Sequence, residues 1–346
     1  MYDAVLIVSF GGPERPEDVL PFLQNVTSGR EVPRERLLEV AEHYYRFGGK
    51  SPINDQCREL IRKLREELDL HGPSLPIYWG NRNWHPFLSE TMRRMRDEGV
   101  RRALAFVTSA YSSYSSCRQY RENIAAAQAE AGEGSPRIDK LRAFYNHPGF
   151  IEAWSDCVRE ALRAFLPNEP RLVFSAHSIP CSMAETSNYE HQLRETSRLV
   201  AEAVGWSDWD LVFQSRSGPP GQPWLEPDIL DHSRDLHRQG EKNVLIAPLG
   251  FISDHLEILY DLDTEALGLA RELGMKVVRA AAVGTHPAFV KMIRQLIRER
   301  IFPNEPKLTL GPLGPSHDFC APDCCPAPRR AGRPPVLQAP SVSQGL

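Results

Sequence analysis

RLVFSAHSIPC, residues 171–181, begins with a short run of strand formers, Leu172, Val173 and Phe174, that gives way to Ser175, Ala176, His177 and Ser178. Pro180 has no amide proton and cannot extend a sheet ladder. A histidine is therefore set where a buried strand becomes a loop, the place at which open α/β sheets handle ligands. Taken alone, His177 is more simply a strand terminator bonded to a nearby carbonyl, because position in a fold does not make function. The rest of the chain decides between the two accounts.

Strand-like apolar runs recur on both sides of this stretch. Residues 4–10, 75–79, 103–108 and 141–145 form one set, and residues 172–174, 211–213, 244–247 and 276–278 a second. Amphipathic stretches of helical period separate them, among them 60–68 and 289–297, where Phe289, Met292, Ile293, Leu296 and Ile297 share one face. Strands alternating with helices predict βαβ units and parallel sheets. The fold class expected is α/β, with two Rossmann-like domains of four parallel strands each and a cleft between them. The first domain spans 1–140 and is joined by the helix at 285–302, whose Pro287 suits a first turn; the second spans 141–284. Residues 303–346 form a Pro-rich, Cys-containing tail, expected to be irregular and, past Arg330, disordered.

Composition narrows the function classes. With 41% hydrophobic and 25% charged residues in 346, the chain is an ordinary soluble globular protein long enough for two cores. A net charge of -4 without a dominant basic patch argues against nucleic acid as a partner. No apolar run approaches the roughly 20 residues that span a bilayer, and the opening MYDAVLIVSFGGP lacks the basic flank of a signal peptide, so a cytoplasmic protein is expected. Seven cysteines, an odd number, point to thiol or metal chemistry rather than a disulfide framework. Cys57, Cys117, Cys157 and Cys181 are scattered, whereas Cys320, Cys324 and Cys325 crowd the tail.

Four other segments could carry chemistry. SFGGPE, 9–14, follows the first strand with two glycines that permit a tight turn, but it is not GxGxxG and does not support a dinucleotide. HYYRFGGKSPI, 43–53, places aromatic and basic residues before a second Gly-Gly turn, and Tyr111, Tyr114 and Tyr120 follow the third strand; such rings suit a large planar ligand, or plain packing. FISDHLEILYDLD, 251–263, sets Asp254 three residues before Glu257, the spacing of a capping box, although a first-turn glutamate opposite a strand-end histidine is also a sound proton acceptor or cation ligand. QSRSGPPGQPWLEP, 214–227, carries Trp224 in a loop dense with turn signals.

SFGGPE, FGGKSPIN, FSAHSIP, QSRSGPPGQPWLEPD and FISDHLEILYDLD, in this order, resemble the ferrochelatase family from about Tyr2 to about Arg300, with the flavour of its actinobacterial, coproporphyrin-handling branch. The resemblance implies a two-domain chelatase fold without nucleotide that inserts ferrous iron into a porphyrin. Metallation exchanges two pyrrole protons for one Fe²⁺, so a site must bend the macrocycle, accept protons and deliver a partly desolvated cation; a neutral imidazole suits the first of these proton transfers. His177 matches the family's catalytic histidine, for proton acceptance and iron binding. Glu257 matches its acid across the cleft, with Asp254, His255 and Asp261 as relay residues behind the pair. Phe10, Arg30, His43, Tyr44, Ser51, Tyr120 and Trp224 fall at porphyrin-contacting positions. Phe10 stands where relatives carry Tyr or Met and cannot ligate iron.

The segment 22–36, FLQNVTSGREVPRER, is polar where membrane-docking relatives carry an apolar lip, and Arg30, Arg34 and Arg36 can meet carboxylates. The four propionates of coproporphyrin III need more such partners than the two of protoporphyrin IX, so coproporphyrin III and Fe²⁺ are the expected substrates, giving coproheme for heme biosynthesis. Protoporphyrin IX, cobalt or nickel insertion, and a tetrapyrrole carrier without turnover are the alternatives. Transient contact with other heme-pathway enzymes is also expected. By the same resemblance Cys157, Cys320, Cys324 and Cys325 would hold a [2Fe-2S] cluster, with zinc as the competing metal for four-Cys ligation.

Overall fold

A computed structural model describes residues 1–29, 32–218 and 221–328. The first half runs β1 (Ala4–Ser9), α1 (Val19–Val26), α2 (Arg34–Arg46), α3 (Ile53–His71), β2 (Ile77–Asn81), α4 (Leu88–Asp97), β3 (Arg102–Val107), α5 (Gln119–Ala131) and β4 (Arg137–Lys140). The second runs α6 (Pro148–Leu162), β5 (Arg171–His177), α7 (Cys181–Ala184), α8 (Tyr189–Val204), β6 (Trp209–Gln214), α9 (Ile229–Arg238), β7 (Asn243–Ala247), α10 (Leu267–Glu272), β8 (Lys276–Arg279) and α11 (Pro287–Ile301). π-Helical segments at Tyr114–Arg118 and Ile258–Ala266 lead into α5 and α10.

The strands form two parallel four-stranded sheets, ordered β2-β1-β3-β4 and β6-β5-β7-β8. Every residue of β1 is buried, as a central strand covered by helices on both faces requires. β5 continues past the apolar run, pairing Ala176 with Phe213 and His177 with Gln214. Its buried Ser175 hydroxyl bonds Gln214 Oε1 at 3.0 Å, which lets a polar residue sit inside the sheet.

Each sheet sends its last helix to the other half. α6 follows β4 and packs on α8, whereas α11 follows β8 and packs on α3 and α6. Both helices begin with His-Pro, and in both the imidazole Nδ1 accepts a first-turn amide: Gly149 to His147 at 3.1 Å and Ala288 to His286 at 3.2 Å. The apolar face of α11 is buried as its periodicity predicts.

One predicted strand is displaced. β4 is Arg137–Lys140, and 141–145 leaves the sheet after Leu141 N bonds Ala105 O at 2.8 Å. That run is apolar because it crosses the core: Phe144 stacks on Phe106 at 5.2 Å and meets Phe289 at 6.0 Å.

The tail is irregular yet pinned. Arg142 and Glu299 form a bidentate buried pair at 2.7 and 2.9 Å, which also bonds the amide and carbonyl of Leu308. Asn146 Nδ2 donates to Leu310 O and Gly314 O. The expectation of disorder past Arg330 lies outside the described residues. Among the described residues no helix is long and apolar enough to cross a membrane.

Candidate active site

The ends of β5 and β7 bring the strand-end histidine and the acidic loop together. His177 Nδ1 donates to the carbonyl of Ser178, and since a carbonyl can only accept, the proton sits on Nδ1 and the Nε2 lone pair is free. Nε2 lies 3.7 Å from Glu257 Oε2. Tyr189 Oη donates to His177 O at 2.9 Å and fixes the strand end. Glu257 stands immediately before the π-helical segment, its side chain about half exposed. His255 Nδ1 is 3.8 Å from the same carboxylate oxygen, and its ring packs edge-on against Phe251 at 4.6 Å. Burial holds His255 below the usual imidazole range despite Glu257 beside it.

Asp261, one turn on, is the strongly perturbed carboxyl of the group. Burial, with lesser contributions from Glu257 and Glu265, pushes it up to about 7, although Ser215 donates a hydrogen bond to it. Ser215 holds a left-handed backbone with φ of 62°, rare outside glycine and common at functional sites.

The capping-box account of Asp254 and Glu257 fails. The helix starts only at Leu256. Asp254 Oδ1 is taken by Arg279 Nη1 at 2.9 Å, and its amide bonds Gln56 Oε1 at 2.8 Å, a link between the two halves. Asp254 thus braces the loop, while Glu257 is left facing the cleft.

The opposite wall is aromatic. Phe22 of α1 packs with Phe10, Tyr44 and Trp84 at ring distances of 6.2, 5.8 and 6.3 Å. The Arg82 guanidinium lies between Phe10 and Tyr120, 5.5 and 4.5 Å from their ring centroids, and bonds the Asn123 amide rather than a carboxylate. Tyr44 is pushed well up, by burial first and by the charge of Glu257 second, which places the two walls in electrostatic contact. His43 of α2 stacks on Tyr260 of the π-helical segment at 3.7 Å and 8°, with Arg46 5.9 Å from the same ring. Burial, Arg46 and Arg36 push His43 down.

The two Gly-Gly turns brace each other. A Cβ on Gly12 would stand 2.7 Å from Ser51 Cβ, and one on Gly49 2.5 Å from Pro16 Cα. Ser51 is buried in this contact, its amide bonded to Pro13 O at 2.9 Å. Trp224 bridges to Pro180 beside His177, and the backbone of Gly218 lies so close to its indole that a Cβ there would fall 2.1 Å from Nε1. Arg30 lies outside the described residues. Arg82, Ser215 and Tyr260 were absent from the sequence reading. The run GNRNW across the end of β2 is the one signal that would have found Arg82, a strand-end position like that of His177.

Cys157 and the tail cysteines have different surroundings. Cys157 lines a cavity of about 550 Å³ between the halves, with Cys57, Thr108, Asp254 and His286, and no tail cysteine reaches it. Burial pushes its thiol up to about 11. Cys117 meets the tail instead. Cys117 draws Cys320 down to about 7, and Cys320 together with burial pushes Cys117 up. Cys324 Sγ and Cys325 Sγ are 3.7 Å apart, and Arg118 Nη1 donates to Cys324 O at 3.0 Å. His317, Cys320 and Cys324 hold their donor atoms within 4.8 Å of one another, which suits a soft metal ion.

A family model described as Ferrochelatase matches residues 2–301. The chain is 55% identical over 338 residues to a ferrochelatase of Rhodopirellula baltica, covering 97% of this chain and 96% of that one. It is 50% identical over 366 residues to the coproporphyrin III ferrochelatase of Streptomyces coelicolor, covering 98% and 97%, and 48% identical over 354 residues to that of Nocardia farcinica, covering 96% and 99%. Among solved structures, the sirohydrochlorin chelatase SirB of Bacillus subtilis subspecies spizizenii in complex with cobalt has a TM-score of 0.53 at 11% identity, over 89% of this chain and 99% of that one, a likeness of fold alone.

Proposed function

The chain belongs to the ferrochelatase family, lyases that place a metal ion in a porphyrin, and on that premise we propose that it inserts ferrous iron into coproporphyrin III to give coproheme. The observation that carries the reading is the free Nε2 of His177 facing Glu257 at 3.7 Å, across a cleft from the aromatic wall of Phe10, Tyr44 and Tyr120.

The Nε2 lone pair of His177 and the Glu257 carboxylate meet the arriving Fe²⁺ substrate, and once the ion has passed to the macrocycle the freed Nε2 takes a pyrrole proton. With Nδ1 committed to Ser178 O, the ring cannot turn away from the macrocycle. Protons leave along Glu257 to Asp261, whose carboxyl, titrating near neutrality, can take one and release it. Phe10 and the Arg82 guanidinium give the macrocycle a flat face, and no side chain on that wall offers iron a ligand at Phe10.

The choice of coproporphyrin is supported by the names of the Streptomyces and Nocardia relatives and by Arg34, Arg36 and Arg46 along α2, where propionate carboxylates can be met. We place the reaction in the cytoplasm, a compartment that keeps thiols reduced. A [2Fe-2S] centre on Cys157, Cys320, Cys324 and Cys325 stays part of this proposal, and no step of the reaction passes through it.

Steady-state insertion of Fe²⁺ without air, with coproporphyrin III and protoporphyrin IX compared, tests the substrate; preference for protoporphyrin IX overturns it. His177→Ala is expected to abolish metallation while porphyrin fluorescence still reports binding. Unchanged turnover in that variant removes His177 from the mechanism.

A further inference from the structure

The imidazole of His177 is aimed by a backbone that has no sheet left to hold it on one side. Its Nδ1 proton goes to Ser178 O, so the position of that carbonyl sets where Nε2 points. The peptide unit joining His177 to Ser178 is gripped on its amide side by β6, Ser178 N donating to Gln214 O at 2.7 Å. The Ser178 hydroxyl is tied to Leu225 O at 2.9 Å, which leaves the carbonyl of His177 as the group still to be secured. Carbonyls two residues apart in a strand point the same way, and Ser175 O takes the amide of Gly250 at 3.1 Å, so His177 O also faces the side of β7. β7 has ended at Ala247, opposite Phe174, and offers His177 no amide. The hydroxyl of Tyr189, the first residue of α8, takes that place at 2.9 Å. Tyr189 is buried, and Tyr111 packs edge-on against its ring at 6.1 Å while donating from its own hydroxyl to Leu249 O, just past β7, at 2.8 Å. Two touching tyrosines thus replace the missing ladder, one holding the end of β5 and the other the chain that leaves β7.

We propose that Tyr189 is a positioning residue for metallation: by holding His177 O it keeps the peptide between His177 and Ser178, and with it Ser178 O, where Nδ1 must donate. The proposal rests on the reading that His177 Nε2 meets iron and then takes a pyrrole proton. A peptide unit is rigid, so one held on a single side tilts as a whole about the bonds that flank it. Tilting carries Ser178 O away from Nδ1, and the imidazole then loses the bond that fixes its tautomer. A ring protonated on Nε2 has no lone pair on the nitrogen that faces Glu257, so it can neither bind the cation nor take the proton. Tyr189 is buried and acts through the tautomer of His177.

The test compares the full-length parent with Tyr189→Phe, which keeps the ring against Tyr111 and removes only the hydroxyl, and with Val200→Ala, which truncates a fully buried side chain on the same helix. Both variants are expected to lower the urea midpoint of unfolding, with circular dichroism checking the fold. Insertion of Fe²⁺ into coproporphyrin III without air gives kcat and KM. The ring nitrogens of His177 are followed by nuclear magnetic resonance of protein carrying heavy-nitrogen histidine, at about pH 8, above the ordinary imidazole range, and His177→Ala identifies their signals. The parent should show a proton on Nδ1 and a bare Nε2. In Tyr189→Phe, kcat is expected to fall about ten- to hundredfold while the porphyrin KM holds, and the two nitrogen shifts should move toward each other as both tautomers are sampled. Val200→Ala should keep the parental kcat and nitrogen shifts. Parental kcat or parental nitrogen shifts in Tyr189→Phe overturn the proposal, as does an equal fall of kcat in Val200→Ala. A parent with its proton on Nε2 overturns both the proposal and the reading it rests on. A parent that metallates no porphyrin sinks that reading alone, and the nitrogen shifts of Tyr189→Phe then decide for or against Tyr189.

Discussion

Asp261 should make the protein lose stability as pH rises through neutrality, and Asp261→Asn should remove that loss. Its carboxyl goes from an ordinary 3.8 to about 7 in the folded chain, chiefly by burial. The folded state therefore binds a proton that the unfolded state has already released, so stability falls with pH between these two values and levels off above the higher one. Linkage puts the cost at about 1.5–2 kcal/mol at pH 5 and about 4–4.5 kcal/mol at pH 8. Asparagine cannot ionise, yet its carbonyl can still accept from Ser215. Urea titrations of both proteins at pH 5 and pH 8 measure the difference: the variant is expected to gain about 2–3 kcal/mol on the parent between them. An equal offset at the two pH values would show that Asp261 is ionised throughout and would remove it as a proton acceptor. The same substitution should slow metallation most near neutral pH, where the carboxyl changes state.

Two further perturbations probe the supports of the cleft. Gly12→Ala drives a methyl to 2.7 Å from Ser51 Cβ and 2.8 Å from Ile53 Cγ2, so α3 must shift; a loss of about 1–3 kcal/mol in urea unfolding and weaker porphyrin binding by fluorescence quenching are expected. Glu299→Ala strands the buried Arg142 guanidinium and frees the amide of Leu308; a loss of about 3–5 kcal/mol and faster proteolytic release of the tail are expected, and an unchanged digest would show that the tail is held elsewhere.

Most of the fold was legible because buried parallel strands write themselves as apolar runs. β4 was missed for the complementary reason. As a sheet edge it carries Arg137, Asp139 and Lys140, charges that keep an edge from pairing with another chain, so it does not look like a strand. The adjacent 141–145 is as apolar as any strand, but what buries it is α11, arriving from more than 140 residues later in the chain. Local pattern cannot tell burial in a sheet from burial by a distant helix.

The same distinction runs through the site. His177 and Glu257 were singled out by a strand end and a loop start only together with the resemblance of their motifs to a known family. Cys117 was not singled out, because its neighbour Cys320 belongs to a tail that returns after some two hundred residues, and within its own segment it is one small residue among serines. Cys157 looked the better candidate by sitting on a regular helix, yet that helix turns it into the cavity between the halves. Three residues after Cys117 on the continuing helix, Tyr120 packs on Arg82 at the aromatic wall. One turn of helix therefore joins the part of the chain that faces the tail to the aromatic wall of the cleft.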